Sequence, residues 1–349
     1  MVPVHLWVGG YPPPGKGILH FTLSRQDGSL HLQETVTGPD NPSFLAINHR
    51  WIFAAHELPD RACVASYRQE QSGTLSLVHF VEADGAGTCH LTLSPCGRFL
   101  YASNYRSGSI LVAAVGKDGH LSTLETIKQK GSSIHPIRQA GAHIHSVTLS
   151  PDGHYAFAAD LGCDRIWVYR VDCKSGRLSP HSDCPSLSLP PGEGPRHMAF
   201  HPNGRYAYLV TELGNHLYSY RFYAHGGRLE AMDRYNTLPP DIIGENLAAD
   251  LHLSADGRFL YVSNRGHDSL AAWQVDGDTG ELNPIGWYPT GGKGPRNFTL
   301  GPDGQTLLVV NQASNNLCIF RRNPRTGVLG EEIARHTVPS PAWIGWTGG

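Results

Sequence analysis

Charge is scarce in this chain: 17% of its 349 residues are Asp, Glu, Lys or Arg, and the formal net charge is -2. Such a balance gives no global attraction to nucleic acid or to anionic membranes, so any anion must be recognised locally. No stretch approaches the ~18 consecutive apolar residues of a membrane span. The opening, Met1 to Gly10, has no basic stretch ahead of an apolar core, which gives a soluble, cytoplasmic reading. The seven cysteines are dispersed, odd in number and without a C-x-x-C pair, the pattern of reduced, mostly buried thiols rather than a disulfide frame or zinc knuckle. No Gly-x-Ser-x-Gly elbow supports a serine hydrolase. Basic residues do not alternate with aromatics, so there is no nucleic-acid track. Gly291-Gly292-Lys293-Gly294 lacks the strand-to-helix context of a nucleotide loop, and no cofactor is called for.

What the chain does have is glycine, 40 residues, and a repeated turn. Ser94-Pro95-Cys96-Gly97, Ser150-Pro151-Asp152-Gly153, His201-Pro202-Asn203-Gly204, Ser254-Ala255-Asp256-Gly257 and Gly301-Pro302-Asp303-Gly304 share one pattern, their glycines 56, 51, 53 and 47 residues apart. A fainter copy runs from Leu45 to Arg50. A period of about fifty residues in a chain of this length gives seven units. Each reads as four short strands, for example Met198 to Phe200, Tyr206 to Val210, His216 to Arg221 and a strand entered through Gly226-Gly227-Arg228-Leu229. Four antiparallel strands per unit make a propeller blade. The expectation is all-β: one seven-bladed propeller domain over residues 1–349. Val4 to Gly9, Gly17 to Thr22 and Leu30 onward lack the turn copy, and Pro341 to Trp346 is a lone apolar strand. Head and tail together complete the seventh blade and remove two open sheet edges.

The innermost strand of each blade faces the central channel, so residues at one offset from the turn glycines form a ring. Eight residues before the glycine stand Cys89, His145, Arg196, Ala249 and Arg296; seven before, His90, Ser146, His197, Asp250 and Asn297. Seven and eight after it stand Asn104 and Tyr105, Asp160 and Leu161, Thr211 and Glu212, Asn264 and Arg265, Asn311 and Gln312, with Glu57 joining from the faint copy. Burying that much charge demands partners or a ligand. Two readings stand side by side: Arg196, Arg265 and Arg296 knit blades by pairing with Asp160, Glu57, Asp250 or Glu212, or they cradle an anionic small molecule. Both Arg196 and Arg296 follow Gly-Pro, which suggests identical presentation from two blades. His143 and His145, two apart on a strand, point one way, but no third ligand stands at metal-binding spacing. His145 is a candidate base. Partial burial of Glu212 after Leu209-Val210-Thr211 is expected to raise its pKa toward that of a base, with a blade-to-blade salt bridge the other reading.

Longer strings then carry a resemblance. Pro195-Arg196-His197, Phe200 to Gly204, Thr211-Glu212-Leu213, Leu260 to Ser269, Ala142 to Ser146, Asp160 to Asp164 and Pro295 to Phe298 resemble the seven-bladed propeller lactonases. The bacterial propeller-type 6-phosphogluconolactonases are the nearest branch, and fungal 3-carboxymuconate cycloisomerases share the fold. The similarity runs from about Gly9 to the C-terminus. It departs where Thr88-Cys89-His90 replaces Pro-Cys-His and where Ala249-Asp250-Leu251-His252 replaces Ala-Glu-Ile-His. The resemblance implies a catalytic group of His145, Arg196, Glu212 and Arg265, with His197, Asn264 and Arg296 nearby. His90, His143, Asn297 and Asp160 complete the candidate substrate-binding set.

The reaction expected is hydrolysis of a phosphorylated sugar δ-lactone without a metal. Glu212 or His145 takes a proton from water, Arg196 or Arg265 holds the oxyanion, and Arg296 with His197 holds the phosphate. A muconate cycloisomerase using the same site, and a non-enzymatic propeller that binds proteins with its faces, are the rival readings. Oligomeric state cannot be read from the sequence.

Overall fold

A computed structural model describes residues 4–11, 17–24, 28–48, 50–70, 73–242 and 244–347. Seven antiparallel sheets follow one another around a channel. Blades 1 to 6 begin at their inner strands: Pro42–Ile47, Thr88–Leu93, Ile144–Leu149, Pro195–Phe200, Leu247–Leu253 and Pro295–Leu300. Blade 7 is composite. Its inner strand is Pro341–Thr347, paired to Val4–Gly10, then Ile18–Leu23 and Leu30–Val36, as the sequence pattern anticipates. Blade 3 departs from the four-strand plan, because its outer edge is split into Leu178–Pro180 and Ser186–Ser188, both paired to Arg165–Val171. Pro180 and Pro185 in that stretch lack the N–H a continuous ladder needs.

The repeated turn has a local cause. In blade 3 the Ser150 hydroxyl accepts from Tyr155 N at 3.0 Å and donates to Asp152, while Gly153 N donates to Ser150 O at 2.8 Å. Gly153 takes φ 72°, a left-handed value that favours glycine. Ser94 and Ser254 accept in the same way from Phe99 N and Phe259 N. In the faint copy the Asn48 side chain takes over, accepting from Arg50 N and Trp51 N at 2.9 and 2.8 Å.

Apolar packing lies between blades rather than at a common centre. Each of the seven interfaces has its own cluster. Blades 3 and 4, for example, bury Phe157, Ile166 and Val168 against Leu209, Tyr218 and Phe222. A polar clamp of one kind sets the start of four inner strands, those of blades 4 to 7. Asp164, Asn215, Asp268 and Asn315 all take φ of 51 to 57° at the hairpin between a blade's second and third strands. Their side chains reach the next blade. Asp164 accepts from Gly192 N and Gly194 N at 2.7 and 2.6 Å, Asp268 from Gly294 N at 2.7 Å, Asn215 from Ala248 N at 2.9 Å and Asn315 from Ser340 N at 2.8 Å. Asx residues tolerate the left-handed conformation and cap nearby N–H groups. Here they fix where Arg196 and Arg296 enter the channel.

Candidate active site

Every inner strand carries one extra residue near its start. The register skips Cys89 between Thr88 and His90, His145 between Ile144 and Ser146, Arg196 between Pro195 and His197, and Arg296 between Pro295 and Asn297. Ser43 and Ala342 are skipped likewise, and in blade 5 Ala249 and Asp250 together face Ser263. A bulge re-aims the side chain it carries. The bulged ring is therefore Ser43, Cys89, His145, Arg196, Ala249, Arg296 and Ala342, large and charged on one arc and small on the rest. Five of these are the residues eight before the turn glycines.

A second ring lies just past the second strands. Backbone N–H groups of Tyr11, Glu57, Tyr105, Leu161, Glu212 and Gln312 donate back to the residues that precede or begin the inner strands, and Arg265 pairs with Leu247. Tyr105, Leu161, Glu212, Arg265 and Gln312 are the residues eight after the turn glycines, and Glu57 and Tyr11 are their counterparts in blades 1 and 7. Those at seven after point into the blades, where Asn104, Asp160, Thr211, Asn264 and Asn311 are wholly buried. Asp160 and Asn264 thus leave the candidate substrate set. The Asp160 carboxylate accepts from His143 N, Gly162 N, Cys163 N and Trp167 Nε1. The Asn264 amide accepts from Asn246 and donates to Thr237 O. Asn297 is also occupied internally, donating to Asp250 and accepting from Ile344 N.

Glu212 is the hub. Its Oε2 accepts from Arg196 Nε and lies against Arg265 Nη2, each at 2.9 Å, and its Oε1 accepts from Arg138 Nη2. His145 Nε2 stands 3.7 Å from Oε2. Burial alone pushes the Glu212 carboxyl up, but Arg265, Arg196, His145 and Arg138 outweigh it and hold it well below the usual carboxylate range. The expected upward shift is reversed, because three guanidinium groups converge on one carboxylate. Glu212 is a weak base and a strong acceptor. The His145 pKa is lowered as well: burial first, then the neighbouring Arg196 and His197, keep its imidazole neutral well below 6.5. Its Nδ1 is buried with no partner among the described residues.

Arg138 was not anticipated. It lies in the 129–143 connection between blades 2 and 3, fifteen residues without a strand, a length that itself marks a functional loop. Gln139, wholly buried, anchors that loop through Ser133 N, His135 N and Leu161 O. Arg138 then reaches Tyr105 Oη at 3.3 and 3.1 Å as well as Glu212. His143 does not point with His145: it stacks on Tyr105 at 4.6 Å, its Nδ1 at 2.8 Å from Tyr105 O. Among the described residues no group of three or more His, Cys, Asp or Glu converges to hold a metal.

Across the channel Arg296 makes a separate set. It donates to Tyr11 Oη at 3.1 Å and Gln312 Oε1 at 3.4 Å, and Tyr11 Oη donates to Glu57 at 2.5 Å. Tyr11, like Arg138, escaped the offset argument, since blade 7 has no turn copy. Arg196, His197, Arg296, Cys89, Ser43 and Phe44 enclose a cavity between the two sets with room for about one water. One layer deeper, His197 and His90 rings meet edge to face at 5.2 Å, and His90 Nδ1 is also without a partner among the described residues. All seven cysteines are unpaired; Cys96 and Cys173 are exposed, Cys184 partly so, and the other four are buried.

Comparison with known proteins shows the family. Residues 5–346 match the family described as lactonase, 7-bladed beta-propeller. The chain is 32% identical to a 6-phosphogluconolactonase of Bacillus subtilis over 343 residues, 97% of each chain. It is 34% identical to one from Formosa agariphila, covering 93% of this chain and 94% of that one. A periplasmic gluconolactonase of Pseudomonas aeruginosa superposes with a TM-score of 0.94 at 34% identity, covering 99% of both chains.

Proposed function

This chain belongs to the seven-bladed β-propeller lactonases, and on that premise we propose that it hydrolyses 6-phosphoglucono-1,5-lactone to 6-phosphogluconate. The observation that carries the reading is the meeting of Arg138, Arg196 and Arg265 at one carboxylate beside a neutral His145, with Arg296 facing them. Four guanidinium groups against Glu212 and Glu57 leave an excess of positive charge where an anionic ester would sit. The names of two relatives supply the substrate class.

In this scheme His145 takes a proton from the attacking water. Arg196 or Arg265 donates to the carbonyl oxygen as it becomes an oxyanion, and Glu212 holds both guanidinium groups in place for it. The ring-opened product carries a new carboxylate, which the same arginines can hold. Arg296 is the group for the phosphate, because it donates to Tyr11 and Gln312 rather than to a carboxylate. His197 is reassigned. Its ring is neutral and tied to Asp250, so it has no spare N–H to offer a phosphate. Arg138, at the exposed end of the cluster, covers the mouth. A phosphorylated substrate implies a cytoplasmic enzyme, whereas an unphosphorylated lactone would fit the name of the periplasmic relative.

The test is the disappearance of freshly generated 6-phosphoglucono-1,5-lactone against its spontaneous hydrolysis and against glucono-1,5-lactone. Acceleration of the phosphorylated lactone above the other supports the proposal. Equal acceleration of both removes the phosphate role of Arg296, and no acceleration of either overturns the hydrolase reading.

A further inference from the structure

A second hydrogen-bonded chain leads away from the arginine cluster. Arg196 Nη1 lies 3.3 Å from both ring nitrogens of His197, His197 Nδ1 lies 2.8 Å from Asp250 Oδ1, and Asp250 Oδ2 lies 2.8 Å from His252 Nε2. The four residues come from the inner strands of blades 4 and 5. Arg196 and His197 line the small central cavity. His252 lines a different and larger cavity, at the far end of the inner strands, walled by the Asp256 and Asp303 turns and by Arg322. Asp250 is buried between them, its amide N–H held by Ser263 Oγ at 3.0 Å and its Oδ2 also accepting from Asn297.

The donors and acceptors in this chain are fixed by chemistry. Asp250 is an ionised acceptor: burial opposes its charge, but His252 and His197 more than offset that and hold it far below the usual range. An acceptor-only carboxylate requires Nδ1–H on His197 and Nε2–H on His252. Asp250 therefore fixes the His197 ring through its Nδ1–H, and Arg196 Nη1, equally close to both ring nitrogens, packs against that ring rather than on one lone pair. Arg196 is thereby held at three points: Glu212 by Nε, and Ala249 O and His197 by Nη1.

We propose that Asp250 and His252 are positioning residues for Arg196, acting through the orientation of the His197 ring, and that the protonation of His252 in the far cavity tunes the site. The inference rests on the lactonase reading for its kinetic arm alone. The groups around His252 are Asp250 on its own strand, Tyr261 opposite it in register, His197 on the inner strand of blade 4, and Asp256, Asp303 and Arg322 in the cavity wall. Asp250 is the one it is bonded to. Burial lowers the His252 pKa, yet Asp250 overrides it and leaves it above 6.5. A protonated His252 competes for the charge of Asp250 and loosens its hold on His197; loss of that proton tightens it.

The experiment uses the full chain and its Asp250→Asn and His252→Gln variants. Nitrogen-15 NMR of the histidine rings without substrate is expected to show His197 as the Nδ1–H tautomer across pH 6 to 8.5 and His252 titrating above 6.5. Asp250→Asn is expected to mix the His197 tautomers and lower kcat on the order of 10- to 100-fold with little change in KM. In the wild type kcat should rise about two- to tenfold through the His252 midpoint. His252→Gln keeps a donor for Asp250 but cannot titrate, so that inflection should vanish. An unchanged His197 tautomer in Asp250→Asn, or a His252→Gln profile identical to the wild type, overturns the proposal. If the wild type turns over no lactone, the reaction reading fails by itself, and the NMR arm alone decides whether the positioning chain exists.

Discussion

Glu212 Oε2 accepts from Arg196 Nε at 2.9 Å with both side chains 3% exposed, so an ion pair is sealed at the mouth of the channel. Removing one member of such a pair strands the other charge away from water. Glu212→Ala is expected to lower stability by roughly 3–5 kcal/mol and to abolish turnover. Glu212→Gln keeps the shape but not the charge, and should unfold less readily while remaining inactive. Urea unfolding followed by fluorescence measures the first effect. A Glu212→Gln enzyme with undiminished kcat would remove the carboxylate from the mechanism.

His145 is assigned the proton because it is neutral and has an unpartnered nitrogen. His145→Gln should reduce kcat by about 10² to 10⁴. The wild-type rate should hold as pH falls below 6.5, since burial and Arg196 delay protonation of the ring, whereas a base with an ordinary histidine pKa would titrate near 6.5. A rate that halves at pH 6.5 and is restored by no other group assigns the proton elsewhere.

Arg296 should separate the two lactones. Replacing it with Gln removes a charge-assisted donor worth about 1.5–3 kcal/mol, so kcat/KM for the phosphorylated lactone should fall by about 10- to 100-fold while that for gluconolactone changes little. Equal losses for both substrates would place Arg296 at the reacting carbonyl instead of the phosphate.

Acid should destabilise the fold through buried histidines. Burial lowers His56 to about 4, with Asp40 and its backbone opposing, and lowers His20 to about 4 with help from His5. A histidine whose folded pKa is depressed contributes stability that is complete above its unfolded value of 6.5 and is lost as pH falls toward 4. For His56 alone, wholly buried, a fall from 6.5 to about 4 corresponds to about 3 kcal/mol. His252, raised instead, contributes in the opposite sense above 6.5. The melting temperature should fall as pH drops from 6.5 toward 4, and decline more gently above 6.5 as His252 loses its proton. His56→Asn should flatten the acid limb.

How much of this was legible in the sequence depends on which force places each residue. Turn glycines at φ near 70° and their Ser or Asx caps are local, so Gly97, Gly153, Gly204, Gly257 and Gly304 revealed blade number and strand order. Ring membership followed, because equal offsets from equal turns must superpose. The choice between adjacent offsets was not legible. Strand alternation should send His145 and Ser146 to opposite faces, but a bulge at the start of each inner strand resets that alternation, and a one-residue insertion leaves no mark in composition. Asp160 and Asn264 make the last pairs of second strands whose register toward the third strand is regular, and there the seven-after position turns into the blade. Arg138 arrives on a loop that no periodicity positions, and the pKa of Glu212 turned on how many arginines that loop and its neighbours bring together.

Ring closure offers the last test, and the numbers make it a severe one. The strand Pro341–Thr347 is seven residues long, yet it is the inner strand of blade 7 and touches both flanking blades. Ile344 N donates to Asn297 Oδ1, Trp346 Nε1 to Leu300 O, and Thr347 Oγ1 accepts from Trp7 Nε1. Ile344 and Trp346 pack in the cluster shared with blade 6, Trp343 in the one shared with blade 1. At about 1.5–3 kcal/mol for each large side chain, their loss approaches the whole stability of a typical domain, about 5–15 kcal/mol. Truncation after Ser340 also bares the Val4–Gly10 edge toward the channel and removes Ala342 from the bulged ring. Such a protein should lose its cooperative thermal transition and aggregate through the open edge. A synthetic 341–349 peptide added during refolding should restore a measurable part of it. A truncated chain that melts within two or three degrees of the full one would mean that the blades hold the ring closed without the velcro-like pairing of head and tail.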